Sequence, residues 1–419
     1  MRGLRLRTAE RGQVELRCAA LDDLIAADHR VRLVWAFVEG LDVTPLLAGV
    51  RSYVGATGAP ATDPRILLAL WLFATLEGVG SARQIDRLVE RDLAYQWIAG
   101  GVRVNYHTLA DFRSQAGDFL DDVLSRSVAA LVKGGVVDLS CVAVDSLRVR
   151  ASAGRGSFRR GATLAGLEAL ARERVAALKS APDGGTARQR AAQERAARER
   201  TDKLAAALAA VRAIEAARVA EDAAKRRRTP KTRAEARAST TDGEARMVCL
   251  ARGEMAPGYN VQVKTDPRAG VVVGLAVSAA TSDRGQLAPA MAEIERRHGR
   301  RPAVVLADEG YDSHGDIEAV EAGGTAVHVS LGKRPELKTV RRGDGEGVKA
   351  WKTRMASDAG KAAYRLRIMT EHPHAQMRNH GLRQMPVRGL RKVTAVALLF
   401  AVASNLLLHG PVLVAALRA

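Results

Sequence analysis

At Val136 the hydrophobic period of the chain changes, and that change limits the folds open to it. Upstream, apolar residues recur at helical spacing. Asp63 is a good N-cap and Pro64 suits a first helical position, after which Ile66, Leu67, Leu70, Trp71 and Ala74 line one stripe. A second helical run covers 82–98, with Ile85, Leu88, Val89, Leu93 and Trp97 on its stripe, and Gly100 and Gly101 break it. A third, 106–119, carries Leu109, Phe112 and Arg113. Downstream, Val142, Val144, Leu147 and Val149 surround Asp145 in an extended segment that reads as a strand. Residues 259–264 and 271–277 read as two more strands, joined as a hairpin by the turn chemistry of 265–270. A helix is predicted at about 286–298, then a short strand at 303–307 that is apolar throughout, the pattern of burial on both faces. A last helical region begins near Lys361. The expectation is an all-helical domain at 1–135 followed by an α/β domain built from 136–154 and 241–419.

The gap in that second domain, 155–240, is filled by a segment rich in Ala, Arg and Glu. Leu164, Leu167, Ala171, Val175 and Leu178 make one narrow stripe, and Leu204, Leu208, Val211 and Ile214 make another. Pro182, Asp183, Gly184 and Gly185 separate them, so an antiparallel two-helix insertion is expected. It holds 21 basic and 10 acidic residues, more than half of the chain's net charge of +19. Lys225, Arg226, Arg227 and Arg228 form its densest basic run and are candidate DNA contacts. A solvated hairpin serving dimer contacts, or a flexible distal part, fits the same composition. The N-terminal helices leave a similar choice between a helix-turn-helix DNA reader, with Arg113 as a candidate contact, and a plain bundle with a basic face.

A charge of +19 favours a polyanionic partner, because each Lys or Arg near a phosphate releases condensed counterions. Anionic membrane is disfavoured. The apolar run 393–408 carries Ser404 and Asn405, stops at His409, Gly410 and Pro411, and is shorter than the roughly 20 residues a bilayer needs. It reads as a core helix. Arg2, Arg5, Arg7 and Arg11 interrupt the N-terminus, so no secretory signal is expected there. Cys18, Cys141 and Cys249 lie far apart without zinc spacing and read as reduced thiols.

Two-metal phosphodiester chemistry needs carboxylates that converge from different elements. Asp145 interrupts an apolar strand, where an unpaired acid is costly. Asp308 follows the buried run 303–307 directly, at the carboxyl end of a strand where α/β folds place ligands. Glu309 and Asp312 compete with it nearby. Glu371 shares a helical register with Tyr364, Arg367 and Arg378, an acid flanked by arginines able to grip phosphates. A plain salt-bridged helix has the same pattern.

In order along the chain, these segments resemble the DDE transposases of bacterial insertion sequences, particularly the groups numbered five and eleven-eighty-two. The resemblance is carried by 63–70 through Glu77 and Gly78, by 108–113, 142–146, 257–262 and 307–312, and by Tyr364, Arg367, Glu371 and Arg378 at the spacing of that family's C-terminal signature. His372 and Pro373, and later 388–393, extend it. It implies an RNase H-like mixed sheet with flanking helices, and Asp145, Asp308 and Glu371 as catalytic ligands of two Mg²⁺ ions, with Mn²⁺ able to substitute. Arg367, Arg378 and Tyr364 become DNA contacts beside the scissile phosphate. The implied partner is double-stranded DNA, both terminal inverted repeats and target, held by a homodimer or larger synaptic complex in the bacterial cytoplasm. Two positions depart from the family pattern. Arg378 replaces the usual Lys, and His374–Ala375 stand where a Phe–Gly pair is expected. A non-catalytic basic DNA-binding protein, an inactive relic and an RNase H-like nuclease without a joining step are the rival readings.

Overall fold

A computed structural model describes residues 18–50, 52–53, 57, 59–180, 185–224, 233–250, 253–332, 337 and 339–418. The basic run Lys225, Arg226, Arg227 and Arg228, the N-terminal arginines and residues 182–184 of the expected turn lie outside the described residues. The strands are β1 (Cys141–Arg150), β2 (Phe158–Arg160), β3 (Arg237–Ser239), β4 (Arg246–Cys249), β5 (Met255–Asp266), β6 (Val271–Ser278), β7 (Val304–Ala307) and β8 (Ala326–Val329). The helices up to the insertion are α1 (Arg30–Glu39), α2 (Thr44–Leu47), α3 (Pro64–Leu76), α4 (Ala82–Arg91), α5 (Leu93–Ala99), α6 (Tyr106–Gln115) and α7 (Gly117–Lys133). Then come α8 (Gly161–Ser180), α9 (Ala187–Ala224), α10 (Leu287–His298), α11 (His314–Ala322), α12 (Glu346–Ala356), α13 (Asp358–Tyr364), α14 (Glu371–Asn379) and α15 (Leu390–Arg418).

The main sheet is mixed. β1 pairs in parallel with β7, and β7 with β8, while β5 lies antiparallel on the other side of β1. β4 and β6 share the far edge of β5. The order β6-β5-β1-β7-β8, with β5 alone reversed and helices around it, is the RNase H-like arrangement. β7 is short because it needs only four residues to cross a core covered on both sides; Val305, Leu306 and Ala307 are fully buried. The hairpin β5–β6 turns at Asp266, whose carboxylate accepts the amides of Arg268 and Ala269 at 2.9 and 3.0 Å.

β5 is buried on both faces, but the faces differ. Tyr259, Val261 and Val263 join the apolar core, whereas Asn260, Gln262 and Lys264 form a buried polar row. Burying Lys264 would cost several kcal/mol without a partner, and Glu293 of α10 supplies one. Arg297 extends this network to Asp121 of α7 at 2.5 Å, which ties α7 and α10 to the sheet.

The helical part departs from the sequence reading in detail. The run 82–98 is split by Asp92, whose carboxylate caps α5 by accepting Ala94 N at 2.9 Å. The run 106–119 ends at Gln115, and α7 restarts at Gly117. α15 does not stop at His409; it kinks there (φ −130°) and runs on through Pro411 to Arg418. This helix packs on α1, α3, α6, α7 and β6. Asn405 of α15 bonds both the N–H and the C=O of Val272, each at 2.8 Å, so its polar side chain is satisfied inside the core. At the other end, Glu244 accepts the amide of Leu390 at 2.7 Å and Asp242 that of Gly389, placing negative charge at the helix N-terminus. By length and composition α15 could cross a membrane, but 67% of its most apolar stretch is buried within the protein.

β2 and β3 pair across the base of the insertion, and α8 and α9 form the hairpin above them. Leu164, Ala171, Leu204, Ala207, Val211, Ala236 and Ala238 make a small core separate from the main one.

Candidate active site

The register of β1 on β7 brings two of the expected acids together. Val144 pairs with Ala307, so Asp145 and Asp308 are the next residues on adjacent parallel strands. β7 ends there while β1 runs on to Arg150, leaving one edge of β1 open until Arg150 N donates to Arg383 O at 3.0 Å. Asp145 Oδ1 accepts the amide of Ser146 at 2.7 Å, and Oδ2 accepts Arg367 Nη1 at 3.1 Å. Burial pushes the Asp145 carboxyl above its usual range; the Ser146 amide and Arg367 oppose the rise, and the charges of Asp283 and Glu371 add to it. Asp308 caps one 3₁₀ turn by accepting Gly310 N at 2.8 Å. It too is raised by burial, and further by Asp145 and Asp283. A Cβ on Gly310 would stand 2.9 Å from Asp308 Oδ1, so the turn closes on the acid only with glycine.

The third acid comes from a different geometry than expected. Tyr364 ends α13, Arg365–Thr370 is a 3₁₀ stretch, and Glu371 opens α14. Tyr364, Arg367, Glu371 and Arg378 therefore do not share one α-helical face, because three residues per turn replace 3.6 over the middle of the segment. The 3₁₀ stretch turns Arg367 toward Asp145, with its guanidinium carbon 5.9 Å from the Tyr364 ring centre. Glu371 is exposed. Arg378, also exposed, lines a cleft of about 550 Å³ with Arg148, Arg150, Glu254 and Arg383.

Arg113 is placed otherwise than its selection as a DNA contact anticipated. It is 7% exposed, donates to Gly80 O at 2.7 Å and lies 4.4 Å over the Trp71 ring. Burial lowers its pKa to about 10. Its charge serves the packing of the helical domain.

Sequence reading missed the residue that holds the back of the site. Asp283 accepts Asn260 Nδ2 and Gln262 Nε2 on one oxygen, both at 2.8 Å, and Ser146 Oγ at 2.9 Å and Arg148 Nη2 at 2.5 Å on the other. Tyr311 extends the chain by donating to Gln262 Oε1 at 2.5 Å. A carboxylate offers about four acceptor positions, and all four are taken. The available signal was the alternation of Asn260, Gln262 and Lys264 within an otherwise apolar strand. His374 was noticed only as a departure. Its ring is buried, with Nδ1 3.9 Å from Asp145 Oδ2.

Two stretches of the chain match known family models. Residues 19–115 match the transposase domain DUF772, and residues 226–406 match the transposase DDE domain. The chain belongs to the DDE transposases. Asp308 and Glu371 fall inside the matched DDE domain, whereas Asp145 lies between the two stretches and is placed by its strand register. No curated protein and no solved structure matches the chain.

DDE transposases work with divalent metal ions, and the donor set can be tested for that. Two desolvated carboxylates, Asp308 raised further by the charge of Asp145 and Asp145 already compensated by a guanidinium, suit a cation. Among the described residues, however, no three His, Cys, Asp or Glu side chains are gathered closely enough to hold one. The pair from the strands fits; Glu371 stands apart from it.

Proposed function

We propose that this transposase cuts the ends of an insertion sequence of group five or eleven-eighty-two and joins the freed 3′-hydroxyls to target DNA. The reading is carried by the adjacency of Asp145 and Asp308 at neighbouring strand positions, with Arg367 beside them. Asp145, Asp308 and Glu371 would hold two Mg²⁺ ions. Bound metal supplies activation of the attacking water or 3′-hydroxyl and stabilisation of the leaving oxygen. Arg367 is ion-paired with Asp145 and would balance its charge in the absence of metal. Arg148, Arg150, Arg378 and Arg383 line the adjoining cleft and can position a DNA backbone there by charge-assisted hydrogen bonds. Asp283 fixes Ser146 and Arg148, and hence the strand that carries Asp145. Tyr311 is committed to Gln262, which argues against a tyrosine nucleophile there.

The test is cleavage and strand transfer by purified protein on terminal-repeat DNA with Mg²⁺. Asp145→Asn and Glu371→Gln should each leave less than about 1% of cleavage, a loss of roughly 3 kcal/mol in transition-state stabilisation. Intact cleavage in either variant overturns the assignment of that acid. The exposure of Glu371 favours a second reading, a DNA-binding relic without catalysis. Metal-independent binding with neither nicking nor joining would establish it, and nicking without joined product would indicate a nuclease.

A further inference from the structure

The 3₁₀ stretch Arg365–Thr370 reads Arg-Leu-Arg-Ile-Met-Thr, and its winding sorts those residues into three ridges. With three residues per turn, positions i and i+3 stack. Arg367 and Thr370 form the ridge that faces the sheet. Thr370 is fully buried and donates to Arg367 O at 2.8 Å, and Arg367 reaches Asp145. The other two ridges, Arg365 with Ile368 and Leu366 with Met369, are exposed. Three large apolar side chains therefore stand in the open beside the acids: Ile368 is 66% exposed, Met369 46% and Leu366 37%. Single exposed apolar residues need no explanation, and among the described residues the others of this size stand at least six positions apart along the chain. A second copy of the chain is a poor match for this cluster. A stable interface takes about 800 Å² from each partner, several times what three partly exposed side chains offer, and Arg365 and Arg367 interleave them with positive charge.

DNA matches both the charge and the size. Leu, Ile and Met are among the side chains that wedge between base steps and unstack them. Leu366, Ile368 and Met369 stand within two residues of Arg367, about 4 Å along a 3₁₀ axis, close to the roughly 3.4 Å from one base pair to the next. A phosphate brought to Asp145 and Asp308 thus carries its neighbouring base pairs against this turn. Asp145 is also recessed, its side chain 17% exposed, so a distorted strand reaches it where a stacked duplex is held off. We propose that Leu366, Ile368 and Met369 form an apolar wedge that unstacks the duplex beside the scissile phosphate, with Arg365 on the adjoining backbone. This inference rests on the reading that Asp145 and Asp308 act on DNA.

The experiment uses the full chain on two terminal-repeat duplexes, one fully paired and one with a mismatched pair beside the scissile phosphate. Ile368→Ser combined with Met369→Ser should cut the paired duplex at least about ten-fold more slowly than wild type. It should cut the mismatched duplex within about three-fold of wild type, because a mismatched base is the easiest to unstack. Ile368→Leu keeps the wedge apolar and should cut both duplexes as wild type does. The slope of log affinity against log salt should be the same in every variant, since apolar side chains release no counterions. In separate samples without divalent metal, 2-aminopurine at the same step should brighten at least about two-fold with wild type, as an unstacked base does, and stay dark with the double variant. Wild-type cutting of the paired duplex by the double variant, or equal losses on both duplexes, refutes the wedge and leaves the cutting reading intact. A smaller oligomer in the double variant also refutes it, because a second copy would then cover these residues. If wild type cuts neither duplex yet brightens the probe, the cutting reading falls and the wedge stands; if it does neither, both fall.

Discussion

Asp283 shows how a single side chain can hold a site without touching what the site acts on. Its four hydrogen bonds come from two strands; those of Asn260 and Gln262 are buried and those of Ser146 and Arg148 half-buried. Asp283→Leu would leave those donors without an acceptor, and urea unfolding should register a loss of about 3–5 kcal/mol. A smaller loss than about 1 kcal/mol would mean that water replaces the carboxylate. Gly310→Ala tests the opposite wall, since the new methyl must displace Asp308 Oδ1; cleavage should drop at least about ten-fold while the melting temperature moves by only a few degrees. His374 makes a pH prediction. With a folded pKa of about 4 against roughly 6.5 unfolded, the unfolded chain binds more protons between those values. Stability from this group is therefore full above about pH 6.5 and is lost as pH falls toward 4, by on the order of 3 kcal/mol. Asp145 and Asp308, with raised pKa values, act with the opposite sign. Comparing His374→Phe with wild type at each pH cancels their contribution, and the variant should gain on wild type as pH drops. Asp308 was legible because it ends an apolar run, and Asp145 because it interrupts one. Asp283 was not, since a lone Asp in a polar loop carries no sign of the strands that fold onto it.

At the scale of elements, periodicity located the strands and helices but not where helices break. Asp92 can be an ordinary exposed helical acid or a cap, and only the packing of α5 selects the cap. The 3₁₀ stretch Arg365–Thr370 was equally hidden, because its residues are compatible with an α-helix and tertiary contact with β1 sets the tighter winding. Asn405 could be read as a polar interruption of an apolar helix; it is the peg that fastens α15 to β6. Asn405→Leu removes both bonds to Val272 and leaves its N–H and C=O buried. Thermal and urea unfolding should show a loss of about 2–4 kcal/mol, and retention of wild-type stability would show that the strand finds other partners.

Among the described residues there is one large core, a small one in the insertion, and a third, smaller cluster of Cys141, Ala143 and Leu306 on β1 and β7. Apolar residues from Ile25 to Leu413 form a single cluster that crosses from the helical domain into the sheet, while the insertion keeps its own. Arg160 and Arg237 are register partners at the insertion's base, so an Asn-Gly turn can join them in place of 161–236. The shortened chain should keep the main unfolding transition. It loses 17 basic and 10 acidic residues, and its plot of log affinity for DNA against log salt should become shallower by about one unit per phosphate contact removed. An unchanged slope would assign the insertion to protein contacts. The position of α15 has a consequence in time. It fills the space between α1, α3, α6, α7 and β6, yet it is synthesised after all of them. The helices made before it must wait, with their apolar faces open, for about 250 (α7) to 350 (α1) further residues to leave the ribosome. Closing of this core thus waits on α15, and a nascent chain stalled before α15 is a client for chaperones.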